Sequence, residues 1–254
     1  MLKLNHVGMT YPSDSGQVEA LIDINLDIRD GEFVSILGPS GCGKSTMLFI
    51  VTGLTPPSKG EVFIGDKRII QPYHEVGFVF QDHLLLEWRN ATQNVSIQGE
   101  LRGMQKKTAR QKAVELLKMV GLEEFADKFP HELSGGMQQR VSICRALLHD
   151  PKLLLMDEPF GALDAFTRDQ MRVDLERIWM KRNSTVMFVT HDISEAILLS
   201  DRVIVLSRRP GTIVEELTID LPRPRNISVS ESRAFLAYRH RLTKVFMDMG
   251  VLYE

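Results

Sequence analysis

The hydrophobic pattern changes period several times along the chain. Over residues 20–28, Leu21, Asp23 and Asn25 fall among Ile22, Ile24, Leu26 and Ile28. Alternation of this kind marks a half-buried strand of an antiparallel sheet. Phe33–Leu37 is instead a short apolar run that ends at Gly38, which predicts a buried strand feeding a loop. Residues 44–52 carry Met47, Leu48, Ile50 and Val51 and stop at Gly53, predicting a helix, and Pro56-Pro57 then marks a turn. Residues 76–80 read as another strand.

Residues 90–150 change character. Ala109, Ala113, Leu116, Leu117 and Val120 recur at helical spacing before a stop at Gly121. A second helix is expected over residues 135–148, with Val141, Cys144, Leu147 and Leu148 on one side. Strands and helices then alternate: a strand at 152–157, a helix over about 165–182, a strand at 185–190, a short helix after Asp192 and a strand at 202–207. Alternation implies a largely parallel sheet. The expected fold class is α/β, with a helical subdomain at about 90–150 inserted into a domain over residues 1–225. A short helical tail over 226–254, its helix at roughly 231–249, completes the chain.

Composition changes this picture little but excludes several function classes. The chain has 254 residues, 43% hydrophobic and 25% charged, with a formal charge of −2. That balance is ordinary for a globular protein and leaves no electrostatic footprint for nucleic acid. Lys106-Lys107 and Arg208-Arg209 read as solvated faces. Two cysteines make no disulfide framework and suit a reducing compartment. No apolar run approaches the ~20 residues of a helical membrane span, and the first residues lack the apolar core of a secretory signal. The expectation is a cytoplasmic chain whose link to any membrane runs through a partner.

The candidate chemistry sits at strand ends. Gly38-Pro39-Ser40-Gly41-Cys42-Gly43-Lys44-Ser45-Thr46 follows a strand and opens a helix, the context in which a glycine-rich loop cradles phosphates. Backbone N–H groups and the helix N-terminus would face the anion, Lys44 would reach the β- and γ-phosphates, and Ser45 would ligate Mg2+. Asp157 ends an apolar run and is a second Mg2+ donor, while the neighbouring Glu158 is placed to polarise an attacking water. Gln81 and His191 also close strand runs. Gln81 reads as a contact to metal or water or as plain surface, and His191 as a γ-phosphate contact or a structural imidazole. Tyr11, in an early loop before Pro12, reads equally as a ring stacked on adenine or as a surface tyrosine. Ser134-Gly135-Gly136 opens another helix with a capping serine and exposed N–H groups, a second anion site. One small nucleotide does not need both, so the second would serve a nucleotide held by another protomer.

Together these residues resemble the nucleotide-binding subunits of ABC transporters over about residues 2–220, most specifically at Leu133-Ser134-Gly135-Gly136. The resemblance implies a P-loop NTPase core with a mostly parallel sheet, an antiparallel β subdomain and an inserted helical subdomain. It assigns Lys44 to Thr46 to the Walker A motif, Gln81 to the Q-loop and Asp157 and Glu158 to Walker B. It makes Asp164 the D-loop residue, His191 the switch histidine and Tyr11 the adenine-stacking aromatic. It implies ATP and Mg2+, and a head-to-tail dimer with a second ATPase subunit, two ATPs lying between the Walker A of one and the signature of the other. It also implies two integral membrane permease subunits, a solute-binding protein acting through them, and a peripheral place on the cytoplasmic face of the inner membrane.

A finer resemblance, to importers for nitrate, sulfonates and taurine, rests on residues 157–164, 190–196 and 207–214 and on the turn Arg209-Pro210-Gly211. Importers for thiamine or pyrimidine precursors share much of it. Glu87 stands where proline is expected and Cys144 where alanine is usual. Residues 83–90, rich in leucine with Trp88, read either as a groove for a partner's helix or as ordinary core. A soluble ABC machine for DNA maintenance or translation fits less well. Only 90 positions separate Lys44 from Ser134, too few for a long coiled-coil insertion, and the chain carries one cassette.

Overall fold

A computed structural model describes residues 1–13 and 16–252; the last two residues of the expected tail lie outside the described residues. In chain order the elements are β1 (Leu2–Ser13), β2 (Gly16–Ile28), β3 (Phe33–Leu37), α1 (Lys44–Val51), β4 (Lys59–Ile64), β5 (Lys67–Arg68), β6 (Val76–Val79), α2 (Ala91–Leu101) and α3 (Lys106–Met119). There follow α4 (Gly135–Leu147), β7 (Leu153–Asp157), α5 (Ala165–Arg182), β8 (Thr185–Thr190), α6 (Ile193–Leu199), β9 (Arg202–Leu206), β10 (Ile213–Thr218) and α7 (Arg233–Asp248). The chain divides into two compact units, one of Met1–His74 with Thr185–Glu254 and one of Glu75–Ser184.

The first unit contains the phosphate loop. Its strands β2, β1, β4 and β5 form an antiparallel sheet in that order. The alternation read at 20–28 belongs to β2 and holds from Asp23 to Ile28, where Ile24, Leu26 and Ile28 are buried while Asp23, Asn25 and Asp27 are not; before it the order is reversed, with Leu21 buried and Ile22 half-buried. Strand β3 lies between β8 and β9, parallel to both, and β10 adds an antiparallel edge beside β9. Every residue of β3, β8 and β9 is buried, as continuous apolar runs require. Helices α6 and α7 contribute Ala196, Ile197, Phe235, Leu242 and Phe246 to a core shared with Leu37, Val203 and Val205. Arg225 is itself buried and donates to the carbonyls of Ile197, Ser200, Ile219 and Leu221. It thereby satisfies carbonyls that would otherwise be costly to bury.

The second unit joins the parallel pair β6 and β7 to α2–α5. Helix α2 packs against α3 and α4. The approach of α2 to α3 is close: a Cβ on Gly99 would lie 2.7 Å from that of Ala109. Helix α3 ends where the sequence placed its stop, with Gly121 at φ 72. Helix α5 ends at Asn183, which adopts the left-handed conformation at φ 52.

Several strands have no sequence signal. β1 is one, and it corrects the placing of Tyr11 in a loop: Tyr11 is a strand residue opposite Val18. Register shifts between Leu4 and Val7, at a point where His6 has φ 50, break the period of two. β4 and the edge strand β10, which carries Glu215 and Glu216, are too polar to stand out. The tail helix begins at Arg233 rather than at 231, because the Ser232 hydroxyl accepts from the Phe235 N–H and caps it.

Candidate functional site

In the first unit the phosphate loop leaves β3 at Leu37 and enters α1 at Lys44. Gly43 caps α1 at φ 102, and a Cβ there would meet Leu21 Cδ2 at 2.6 Å, so no larger residue fits. Lys44 is only 5% exposed, and its Nζ donates to the carbonyls of Gly38 at 2.9 Å and Pro39 at 3.1 Å. The loop is thus wrapped around an ammonium group. Gly38 and Cys42 are buried; Pro39, Gly43 and Thr46 are half-buried, and Ser40, Gly41 and Ser45 are exposed. No acidic side chain occupies the first turn of α1, so nothing there opposes an incoming anion.

His191 follows the last residue of β8 and is exposed. Leu37 pairs with Thr190 in parallel register, so the loop and His191 leave the same edge of the sheet. Tyr11 is half-buried on β1, within the same unit. In sequence the Arg209-Pro210-Gly211 turn stands only as a mark of subtype. Its backbone in fact backs the loop: Gly211 N–H donates to Ala20 O at 2.9 Å and Gly211 O accepts from Ile22 N–H at 3.0 Å. A Cβ on Gly211 would lie 2.2 Å from the Cys42 carbonyl oxygen, so only glycine permits the approach.

In the second unit Gln81 lies just beyond β6, while Asp157 ends β7 and Glu158 follows it. The parallel pairing of Val79 with Met156 brings these strand ends to one edge. Glu158 has φ 42, a left-handed conformation that costs a non-glycine residue about 1–3 kcal/mol. Its carbonyl accepts from Gly161 N–H at 3.0 Å. The Gln81 side-chain amide comes within 3.8 Å of where a Cβ on Gly161 would stand. Gln81, Glu158 and Gly161 therefore form one cluster, a strained turn facing a strand-end amide.

Asp164 caps α5, its carboxylate accepting from Thr167 N–H at 3.1 Å. Hydrogen bonding from Thr167 holds this carboxyl below its ordinary value. The cap therefore helps the fold when ionised and is lost as pH falls through the lowered value. Ser134 caps α4 by accepting from Met137 N–H at 3.4 Å. Ser134 and Gly135 are exposed, whereas Gly136 is buried with Thr167 Cγ2 only 2.4 Å from where its Cβ would be. The start of α4 and the start of α5 are thus packed together, bringing Asp164 near the signature residues. Cys144 is fully buried, and burial pushes its thiol up to about 12, so it is inert.

Among the described residues no group of three or more His, Cys, Asp or Glu could hold a metal ion unaided. Within the second unit the Gln81 amide and the Asp157 carboxylate, and within the first the Ser45 hydroxyl, are each hard oxygen donors of the kind that suit Mg2+.

Comparison with known proteins identifies the family. The ABC transporter family model matches residues 21–161. An uncharacterized ABC transporter ATP-binding protein of Methanocaldococcus jannaschii is 45% identical over 97% of this chain and 91% of its own. The aliphatic sulfonates import ATP-binding protein SsuB of Bacillus thuringiensis is 41% identical over 99% of this chain and 98% of its own. Among solved structures, the dimeric post-hydrolysis state of the ATP-binding cassette MJ0796, bound to ADP and Pi, superposes with a TM-score of 0.77. It is 37% identical and covers 87% of this chain and all of that one. The chain belongs to the ABC transporter ATP-binding family, and it is an ATPase.

Proposed function

We propose that this ATPase energises import of a small anionic solute, of the nitrate, sulfonate or taurine type, through two separate membrane subunits. It works at the cytoplasmic face of the membrane, with a solute-binding protein delivering cargo to those subunits. Two copies face head to tail. Lys44 and the N–H groups of residues 38–46 hold the phosphates of one ATP, and Ser134, Gly135 and Gly136 of the facing copy close over it. Tyr11 offers its ring to the adenine. Ser45, Gln81 and Asp157 would hold Mg2+, which would neutralise phosphate charge. Glu158 accepts a proton from the attacking water, His191 hydrogen-bonds the γ-phosphate, and Asp164 steadies the start of α5 beside the signature.

The observation that carries the membrane partnership is a groove of about 670 Å³ on the second unit, lined by Trp88, Arg89, Gln93, Glu100, Lys106 and Arg110 among others. Trp88 is 73% exposed and Leu84 55%, while Leu85 and Leu86 are half-buried. Of the leucines after Gln81, Leu84 is therefore the one offered to a partner. Within the groove lining, Arg89 Nη1 donates to both carboxylate oxygens of Glu100 at 3.0 Å. An apolar anchor beside a polar rim suits one short amphipathic helix. Among the described residues no helix is long and apolar enough to cross a membrane. The sulfonate-import relative, aligned nearly end to end, supports the solute class.

Leu84→Asp and Trp88→Ala test the reading. A buried tryptophan anchor contributes at least about 2 kcal/mol, so assembly with the membrane subunits should weaken roughly thirty-fold or more, with basal ATPase unchanged. Unchanged assembly and transport in both variants would reject the groove as the docking site.

A further inference from the structure

The segment after Gln81 is fastened along the signature helix. Arg145, near the end of α4, donates from Nη1 to the Leu84 carbonyl at 2.6 Å and from Nη2 to the His83 carbonyl at 2.8 Å. Closer to the start of α4, the buried Gln139 holds Nδ1 of His83 at 2.5 Å through its amide oxygen. Nε2 of the same ring lies 3.9 Å from where a Cβ on Gly135 would stand. These contacts run from residue 135 to residue 145, about 15 Å of helix at 1.5 Å per residue.

The segment is also strained. Leu84 has φ 46, a conformation that a leucine keeps only where its surroundings over-determine it. The planar fork of Arg145, gripping two successive carbonyls, is such a surrounding. On the far side, the fully buried Asn94 accepts from Leu86 N–H at 2.7 Å. Its amide donates to the carbonyls of Leu86, Arg89 and Asn90. The exposed Trp88 therefore rides on a short loop pinned at both ends. One of those pins is the helix that begins at Ser134.

We propose that Arg145 and Gln139 are positioning residues that transmit load from the Trp88 loop to the signature residues Ser134, Gly135 and Gly136. Movement of the loop by a membrane subunit drags α4 with it, because the backbone of residues 83 and 84 cannot shift without either moving Arg145 or stranding its donors. The signature then meets the facing copy's ATP more readily when the loop is set by its partner, above a basal rate that the dimer reaches unaided. This rests on the reading of the Trp88 groove as the docking site. It adds a physical link within one unit, made of charge-assisted and buried hydrogen bonds.

The test uses the whole transporter, with its membrane subunits and solute-binding protein in lipid nanodiscs. Arg145→Gln removes the fork; Gln139→Met removes the imidazole partner at nearly constant volume and guards against a folding defect in the first variant. Both should assemble as the wild type does and keep basal ATPase within about two-fold. Stimulation by solute-loaded binding protein should fall at least ten-fold, and the double variant should be no worse than the worse single one. Wild-type stimulation in both variants would overturn the proposal, as would loss of assembly, which would confine these residues to shaping the groove. Failure of the docking reading itself is seen separately, in Leu84→Asp and Trp88→Ala.

Discussion

Replacing Glu158 by glutamine stops turnover while leaving ATP bound. The change keeps size and removes only the basicity that draws a proton from water. A positioned general base contributes about 10²–10⁴-fold, so phosphate release should fall at least a hundred-fold. Backbone strain at this position does not complicate the comparison, because glutamine and glutamate bear the same penalty at φ 42. Glu158→Gly separates the two effects: it relieves the strain, so the variant should melt higher than Glu158→Gln and be equally inactive. Steady-state phosphate release, with ATP binding followed by equilibrium dialysis, reads both. A glutamine variant that hydrolyses ATP at the wild-type rate would remove Glu158 from the role of base.

Lys44→Ala abolishes high-affinity ATP binding. The ammonium is almost wholly enclosed by the loop it serves, and it donates to two loop carbonyls. Alanine removes the positive charge proposed to meet the β- and γ-phosphates, and it leaves those carbonyls without that donor. Charged hydrogen bonds are worth about 1.5–3 kcal/mol each, so titration calorimetry should show affinity weakened at least a hundred-fold. The loop itself should also loosen, lowering the melting temperature in the absence of nucleotide. Affinity preserved within two-fold would separate Lys44 from the phosphates.

The legible parts of this chain are those where one physical requirement leaves a local pattern. The phosphate loop is legible because a strand buried on both faces must be continuously apolar and its exit must be glycine-rich. Phe33–Leu37 and the glycines at 38, 41 and 43 show both. Helix α5 and strand β8 fall at the expected 165–182 and 185–190 because each has an unambiguous period and boundary. Tyr11 was misplaced because bulges near Asn5 and His6 break the alternation of β1. Gly211 behind the loop and Arg145 on the Leu84 carbonyl were invisible for another reason: the first meets residues far back along the chain, and the second reaches across 61 positions. Contacts of that separation leave no periodicity. The groove was half legible: a leucine-rich run with tryptophan looked equally like core, and only the exposure of Leu84 and Trp88 decides it.

The central claim is that two copies share their nucleotides, each supplying the phosphate loop to one ATP and the signature to the other. The most direct measurement is specific ATPase activity against protein concentration, for the wild type and for Ser134→Arg, whose bulk keeps the signature from closing on a facing phosphate site. The account predicts that wild-type activity per chain rises with concentration until dimers saturate, while Ser134→Arg stays inactive throughout. Constant activity per chain at every dilution, with Ser134→Arg as fast as the wild type, would contradict it.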